Sequence, residues 1–181
     1  MWPGAIALAP ARRRPGRSGM APMDPADHLR RAWRVHALAA AAGLHLHDVW
    51  EVDAQIPSST PLERWIEAFR GERRGAATRV LFGVRRAVGW VLRLDAKGTG
   101  FQPVYAEAEE QLFRIENRTV VAFMHLSLAD RRPRIAVYVR PKGHLGGLYM
   151  WLIDPFRRAV VYPGLLAAGR RAALRVGAGR G

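Results

Sequence analysis

The stretch NRTVVAFMHLSLADRRPRIAVYVR, residues 117–140, decides the fold. Thr119 to Leu128 and Arg134 to Arg140 are apolar segments separated by the polar run Ala129 to Pro133. With Gln111 to Glu116 lying before Asn117-Arg118, they make three extended segments at the spacing of antiparallel hairpins. In the middle segment Val121, Phe123, His125 and Ser127 share one face, and Val120, Ala122, Met124 and Leu126 share the other. Both faces are largely apolar, so this strand is central in its sheet and covered on both sides, by helices or by a helix and a cavity.

Working outward toward the N-terminus, Asp24-Pro25 is a cap followed by a first-turn proline, and Asp27 to Ala42 consists mostly of good helix formers up to Gly43. Leu44 to Val52 then alternates, Leu44 and Leu46 against His45 and His47, as a half-buried strand does. Pro57 to Pro61 is a loop, and Leu62, Trp65, Ile66 and Phe69 recur at helical spacing after it. Thr78 to Leu94 reads as an amphipathic helix, with Arg79, Arg86 and Arg93 along one stripe. Toward the C-terminus, Leu145 to Arg171 is predicted as a long helix rich in aromatics, broken or kinked near Pro155 and Pro163. The fold class expected is α+β: an antiparallel sheet packed on a long, proline-kinked C-terminal helix, with two or three further helices in the N-terminal half.

Composition narrows the function classes. The 181 residues are 49% apolar and 24% charged, which suits one globular domain, expected over residues 24–173. The net charge of +14 is concentrated in the tails. Residues 1–23 and 169–181 hold eight arginines and no acid, leaving 21 basic against 15 acidic residues between them. Residues 1–23 are therefore set aside as a basic leader or an over-extended start, and residues 174–181 as a flexible tail. Arginine excess spread in this way does not single out nucleic acid as a specific partner. With no cysteine there are no disulfides and no thiolate chemistry, and with no long uncharged apolar run no transmembrane helix is expected. The arginines follow the opening apolar residues rather than preceding them, unlike a secretory signal, so a cytoplasmic location is expected.

Motifs that would name a reaction are missing: no Walker loop, no dinucleotide fingerprint and no nucleophile elbow occurs. His45-Leu46-His47-Asp48 would place two imidazoles on one side of a strand, but spacing offers no third ligand, so no metal and no cofactor are expected. Gly143 to Gly147 either exposes amides to an anion at a helix start or turns a tight corner. His125, flanked by apolar residues, is either a buried core histidine or a group that meets a ligand.

Four blocks in register carry a resemblance. His47-Asp48-Val49-Trp50, ATRVLFGVRRAVGWVLRLD (77–95), NRTVVAFMHL (117–126) and VRPKGHLGGLYMWLIDPFRRAVVYPGL (139–165) resemble the bacterial family called domain of unknown function 2867, over roughly residues 33–173. That family is thought to be related to the helix-grip superfamily of the birch-pollen allergen and steroid-transport domains. The resemblance implies a sheet curved around the C-terminal helix with an apolar cavity between them, and it brings no catalytic residues. Under that implication Trp50, Phe123, His125, Tyr138, Tyr149 and Trp151 are candidate walls for a small apolar or amphipathic ligand. Two alternatives stand beside this reading. One is a peripheral-membrane or interaction domain using Arg79, Arg86, Arg93 and the aromatic last helix; the other is a cavity enzyme with His125 as general acid or base.

Overall fold

In the hairpin read first from the sequence, Ala129 pairs with Arg132 across the two-residue turn Asp130-Arg131, and both turn residues have positive φ. Such a turn matches the right-handed twist of the flanking strands. Arg131 holds this conformation while its guanidinium donates to the carbonyls of Pro57 and Thr60 and its own carbonyl accepts from Ile56 N–H, which ties the loop before the third helix to the hairpin.

A computed structural model describes residues 20–22, 24–72 and 102–178. In chain order the elements are β1 (Met20–Pro22), α1 (Pro25–Arg31), α2 (Trp33–Ala41), β2 (His45–Val52), α3 (Leu62–Glu72), β3 (Gln102–Glu107), β4 (Glu110–Glu116), β5 (Val120–Ala129), β6 (Arg132–Pro141), α4 (Gly143–Phe156), a π-helical turn (Arg157–Val161) and α5 (Tyr162–Ala178). The strands form one antiparallel sheet in the order β1-β2-β6-β5-β4-β3. The chain has the expected α+β fold, with β5 and β6 at the centre of an open sheet. The predicted helix Thr78 to Leu94, and with it Arg79, Arg86 and Arg93, lies outside the described residues.

Both faces of the sheet are covered, as the two apolar faces of β5 require. On one face Met124, Leu126, Leu128, Phe113, Ile135 and Val52 meet α3 through Trp65, Ile66 and Phe69, and α5 through Leu166, Ala168, Ala172 and Ala173. The small residues of α5 permit a close approach: the Trp65 indole donates to the Gly169 carbonyl at 3.1 Å. On the other face Phe123, Val121, Leu112, Ala136, Tyr138 and Val49 meet Ala32, between α1 and α2, and Val35 and Ala39 of α2.

Three details depart from the sequence reading. The helix expected over Asp27 to Ala42 is two helices, because Ala32 leaves helical geometry at φ −102°, ψ 39°. Asp24 caps the first of them as predicted, accepting from Ala26 N–H at 2.9 Å. Met20–Pro22, set aside with the leader, adds a short edge strand beside Glu51. β3 was not anticipated; all but one of its residues are exposed, so it lacks the alternation by which strands are recognised.

The C-terminal helix keeps helical geometry from Gly143 to Ala178, interrupted only between its two prolines. A proline ring collides with the carbonyl four residues back in a regular helix and offers no N–H, and the wider π turn falls where that misfit must be absorbed. Its signature is the Tyr162 N–H donating to the Arg157 carbonyl, five residues back. At the other end Gly143 supplies positive φ at the corner. Gly146 lies so close to the Thr119 carbonyl and to Pro141 that a β-carbon there would collide with backbone. The Thr119 oxygen cannot easily retreat, since it also accepts from Lys142 N–H at 2.8 Å. Gly146→Ala should therefore cost about 1–3 kcal/mol in urea unfolding, the range for overpacking a tight contact, whereas Gly147→Ala, with open space around it, should cost nothing or stabilise the helix.

Candidate functional site

The six residues singled out from the sequence do not share one wall. Phe123, His125 and Tyr138 lie together beneath α1 and α2, Trp50 packs on the opposite face beside Ile135, and Trp151 projects from α4 with 74% of its surface exposed. Tyr149 is on α4, and its side chain lies outside the described residues.

Beneath α1 the sheet carries a sealed polar cluster. His28 is the buried residue of α1; its Nε2 is 3.2 Å from the Tyr138 hydroxyl, and its ring centroid is 5.4 Å from that of His125. Both rings and Tyr138 are buried. His125 Nε2 lies 3.2 Å from Glu110 Oε2, too far off line for a directed hydrogen bond, and Nδ1 has no partner. Glu110 in turn accepts from the Tyr105 hydroxyl at 2.9 Å. Burial, then the neighbouring His125 and Arg134, pull the His28 pKa down to about 4, while His125 and Tyr105 hold Glu110 below the usual carboxylate range. A general acid or base must reach its substrate. His125 reaches none while α1 is seated, because it has no exposed surface.

A second polar group forms where two backbone irregularities face each other. In β2, Leu46 pairs with Tyr138 but Asp48 pairs with Val137, so His47 is the extra residue of a β-bulge. Regular alternation would put Asp48, Trp50 and Val52 on the same face as Leu46. The bulge turns them toward α5 instead. There Asp48 Oδ2 accepts from Arg157 Nη2 and from His47 Nδ1, at 2.9 and 2.8 Å, and from the Tyr162 hydroxyl. Arg157 Nε also donates to the Tyr162 hydroxyl at 3.1 Å, and its guanidinium lies 5.3 Å from the centroid of the Tyr162 ring. With Nδ1–H committed to Asp48, His47 Nε2 is the acceptor for Arg157 Nη1 at 3.3 Å. The π turn brings Arg157 and Tyr162, five residues apart, onto one carboxylate.

Burial alone would raise the pKa of Asp48, but hydrogen bonds from His47 and Tyr162 and the Arg157 charge outweigh it and hold the carboxyl below its ordinary value. Burial and Asp48 push the Tyr162 phenol well above its ordinary value, so it stays a donor. The group is only partly covered: the side chains of His47, Asp48 and Arg157 are 29%, 19% and 11% exposed. Two buried polar atoms at this site make no hydrogen bond. The Trp50 Nε1 is buried without an acceptor while its ring lies 5.5 Å from that of Tyr162, and Asp154 Oδ1 is buried without a hydrogen bond, 4.0 Å from Arg157 Nη2. Bulges of both kinds recur beside functional sites because they re-aim side chains. Here one of each supplies a single cluster.

A family described as "Protein of unknown function (DUF2867)" matches residues 40–164. The chain belongs to that family. The DUF2867 span includes His47, Asp48, Trp50, Asp154, Arg157 and Tyr162 but begins after α1, so the cluster at the two bulges lies within the matched residues and His28 outside them. No curated protein and no solved structure matches the chain. Among the described residues no group of three or more His, Asp or Glu side chains is placed to hold a metal ion, and no helix is long and apolar enough to cross a membrane. His45 is exposed.

Sequence reasoning named His47, Asp48 and Trp50 but not their partners on the C-terminal helix. The available signal was the pair of prolines, Pro155 and Pro163, which bracket Arg157 and Tyr162 and mark where the helix departs from α geometry.

Proposed function

We propose that this DUF2867 chain is a non-catalytic binding module for a small amphipathic molecule, held at the two facing bulges. The observation that carries this reading is the Trp50 indole N–H, buried without an acceptor beside a fixed aspartate–arginine pair. A buried donor left unpaired costs about 1–3 kcal/mol, and a ligand acceptor placed there recovers that energy. Trp50, Tyr162 and the half-buried Met150 supply apolar area, while Asp154 Oδ1 offers an acceptor to any donor on the ligand. Such a mix of apolar wall and a few convergent polar atoms is what small-molecule sites use.

The test uses anilinonaphthalene sulfonate, which joins apolar rings to a hydrogen-bond acceptor, alongside native mass spectrometry of the purified protein. Wild type should bind one molecule saturably. Trp50→Phe keeps an aromatic ring and removes the N–H, so it should weaken binding about tenfold, the equivalent of about 1.4 kcal/mol, with the melting temperature preserved. Unchanged affinity in Trp50→Phe, or binding abolished by Trp151→Ser instead, would place the dye elsewhere and overturn the assignment.

A further inference from the structure

The helix that supplies Asp154 to this site has a second side that nothing among the described residues covers. Leu148, Trp151 and Leu152 are 54%, 74% and 47% exposed, three large apolar side chains at positions i, i+3 and i+4. At 3.6 residues per turn they form one stripe with the exposed Pro155 and His144. The same geometry puts Gly146, Met150 and Ile153 on the reverse side, and Gly146 is the residue that abuts the Thr119 and Pro141 backbone. The stripe therefore faces directly away from the sheet. It cannot turn inward, because the contact at Gly146 admits no other side of the helix.

The residues that bracket the stripe are basic. Residues 143–153 contain no Asp, Glu, Lys or Arg. Arg158, 64% exposed and paired with Asp154, continues from the C-terminal end of α4, and the exposed Arg140 lies just before its start. An uncharged helix face with leucine and tryptophan, bracketed by basic residues, is the pattern of an interfacial helix, whose apolar residues enter the headgroup boundary while cations meet anionic lipid. Tryptophan favours that boundary because its ring is apolar and its N–H can stay hydrated. Of the side chains in the stripe only Trp151 and His144 carry polar atoms, which leaves little by which a particular protein partner could be selected through directed hydrogen bonds.

We infer that α4 is a membrane-surface contact, in which Leu148, Trp151 and Leu152 insert shallowly into an anionic bilayer surface. The inference is independent of the ligand site, since it uses the opposite side of the helix.

Vesicle co-sedimentation of the full chain tests it, with vesicles of phosphatidylcholine alone and of phosphatidylcholine mixed with phosphatidylglycerol, at physiological salt. Wild type should bind the mixed vesicles and not the neutral ones. The double variant Leu148→Ser/Trp151→Ser should lose about tenfold or more in partitioning, because burial of each apolar side chain contributes. Trp151→Phe should keep most of the binding. Both substituted positions are exposed, so circular dichroism and the melting temperature should match wild type. If the double variant binds as tightly as wild type, the arginine-rich tails account for the binding and the inference fails. It fails equally if wild type ignores the mixed vesicles, or if the double substitution changes only the oligomeric state seen by analytical ultracentrifugation.

Discussion

Asp48→Ala lowers the stability of the fold by about 3 kcal/mol, the low end of the cost of removing one partner from a covered ion pair. The reason is what the substitution leaves behind. Arg157, 11% exposed, keeps its charge and loses its carboxylate, while the Tyr162 hydroxyl and the His47 Nδ1–H lose the acceptor they share. Asp48→Asn should cost less, because an amide oxygen still accepts from Tyr162. Urea unfolding followed by far-ultraviolet circular dichroism measures both. A loss below about 1 kcal/mol for the alanine variant would mean that the pair behaves like an ordinary surface salt bridge and does not hold the C-terminal helix to β2. Wild type should feel this contribution fade only in strong acid. The folded pKa of Asp48 is depressed, so its stabilisation is complete above the unfolded value near 3.8 and is lost as the pH falls through the lower folded value.

Acid should destabilise the protein earlier than that, through His28. Its pKa falls from 6.5 to about 4 on folding, chiefly by burial and then by the proximity of His125 and Arg134. Between those two values the unfolded chain binds a proton that the folded chain refuses, so stability rises with pH across the window and is lost as the pH falls through it. At about 1.4 kcal/mol per pKa unit the full window is worth on the order of 3 kcal/mol. Glu110, 20% exposed and the one acid among the influences on His28, opposes this only in part. Urea midpoints at a series of pH values from 7 to 4 would show the slope, and His28→Gln, which retains a hydrogen-bonding group toward Tyr138, should flatten it by most of that amount. An identical slope in the variant would assign the effect to other histidines. Because α1 has His28 as its buried residue, hydrogen exchange in acid should rise first in α1.

How much of this was legible in the residues depended on whether a local pattern existed to be read. β5 was legible because ten residues alternate between two apolar faces, and α3 because Trp65, Ile66 and Phe69 repeat at helical spacing. Asp24-Pro25 marked its helix start for a local reason, a carboxylate reaching an N–H two residues on. β3 was not legible, since a strand exposed along nearly its whole length needs no alternation. The break at Ala32 was hidden among good helix formers, with no glycine or proline beside it to mark it.

The candidate site shows the same division. His47-Asp48-Val49-Trp50 stood out in the sequence, and the prolines at 155 and 163 announced an irregular helix. What they did together did not follow. One extra residue in a strand reverses which face every later side chain occupies, and HLHDVWEV carries polar and apolar residues in an order compatible with either register. Likewise Arg157 and Tyr162 are five apart, a spacing that in an α-helix leaves two side chains on different faces and in a π turn aligns them.

By itself the sequence determined the class of the fold, the central place of β5, the coverage of both sheet faces and the interruption of the last helix, because period, caps and prolines act over a few residues. Only the tertiary structure decided that Asp48 meets Arg157 and Tyr162, that His125 is sealed beneath α1, and that Trp151 faces outward. Each of those depends on a register or a helical phase, set for the first two by packing between segments far apart in the sequence, and for the third by the contact of Gly146 with the end of the sheet.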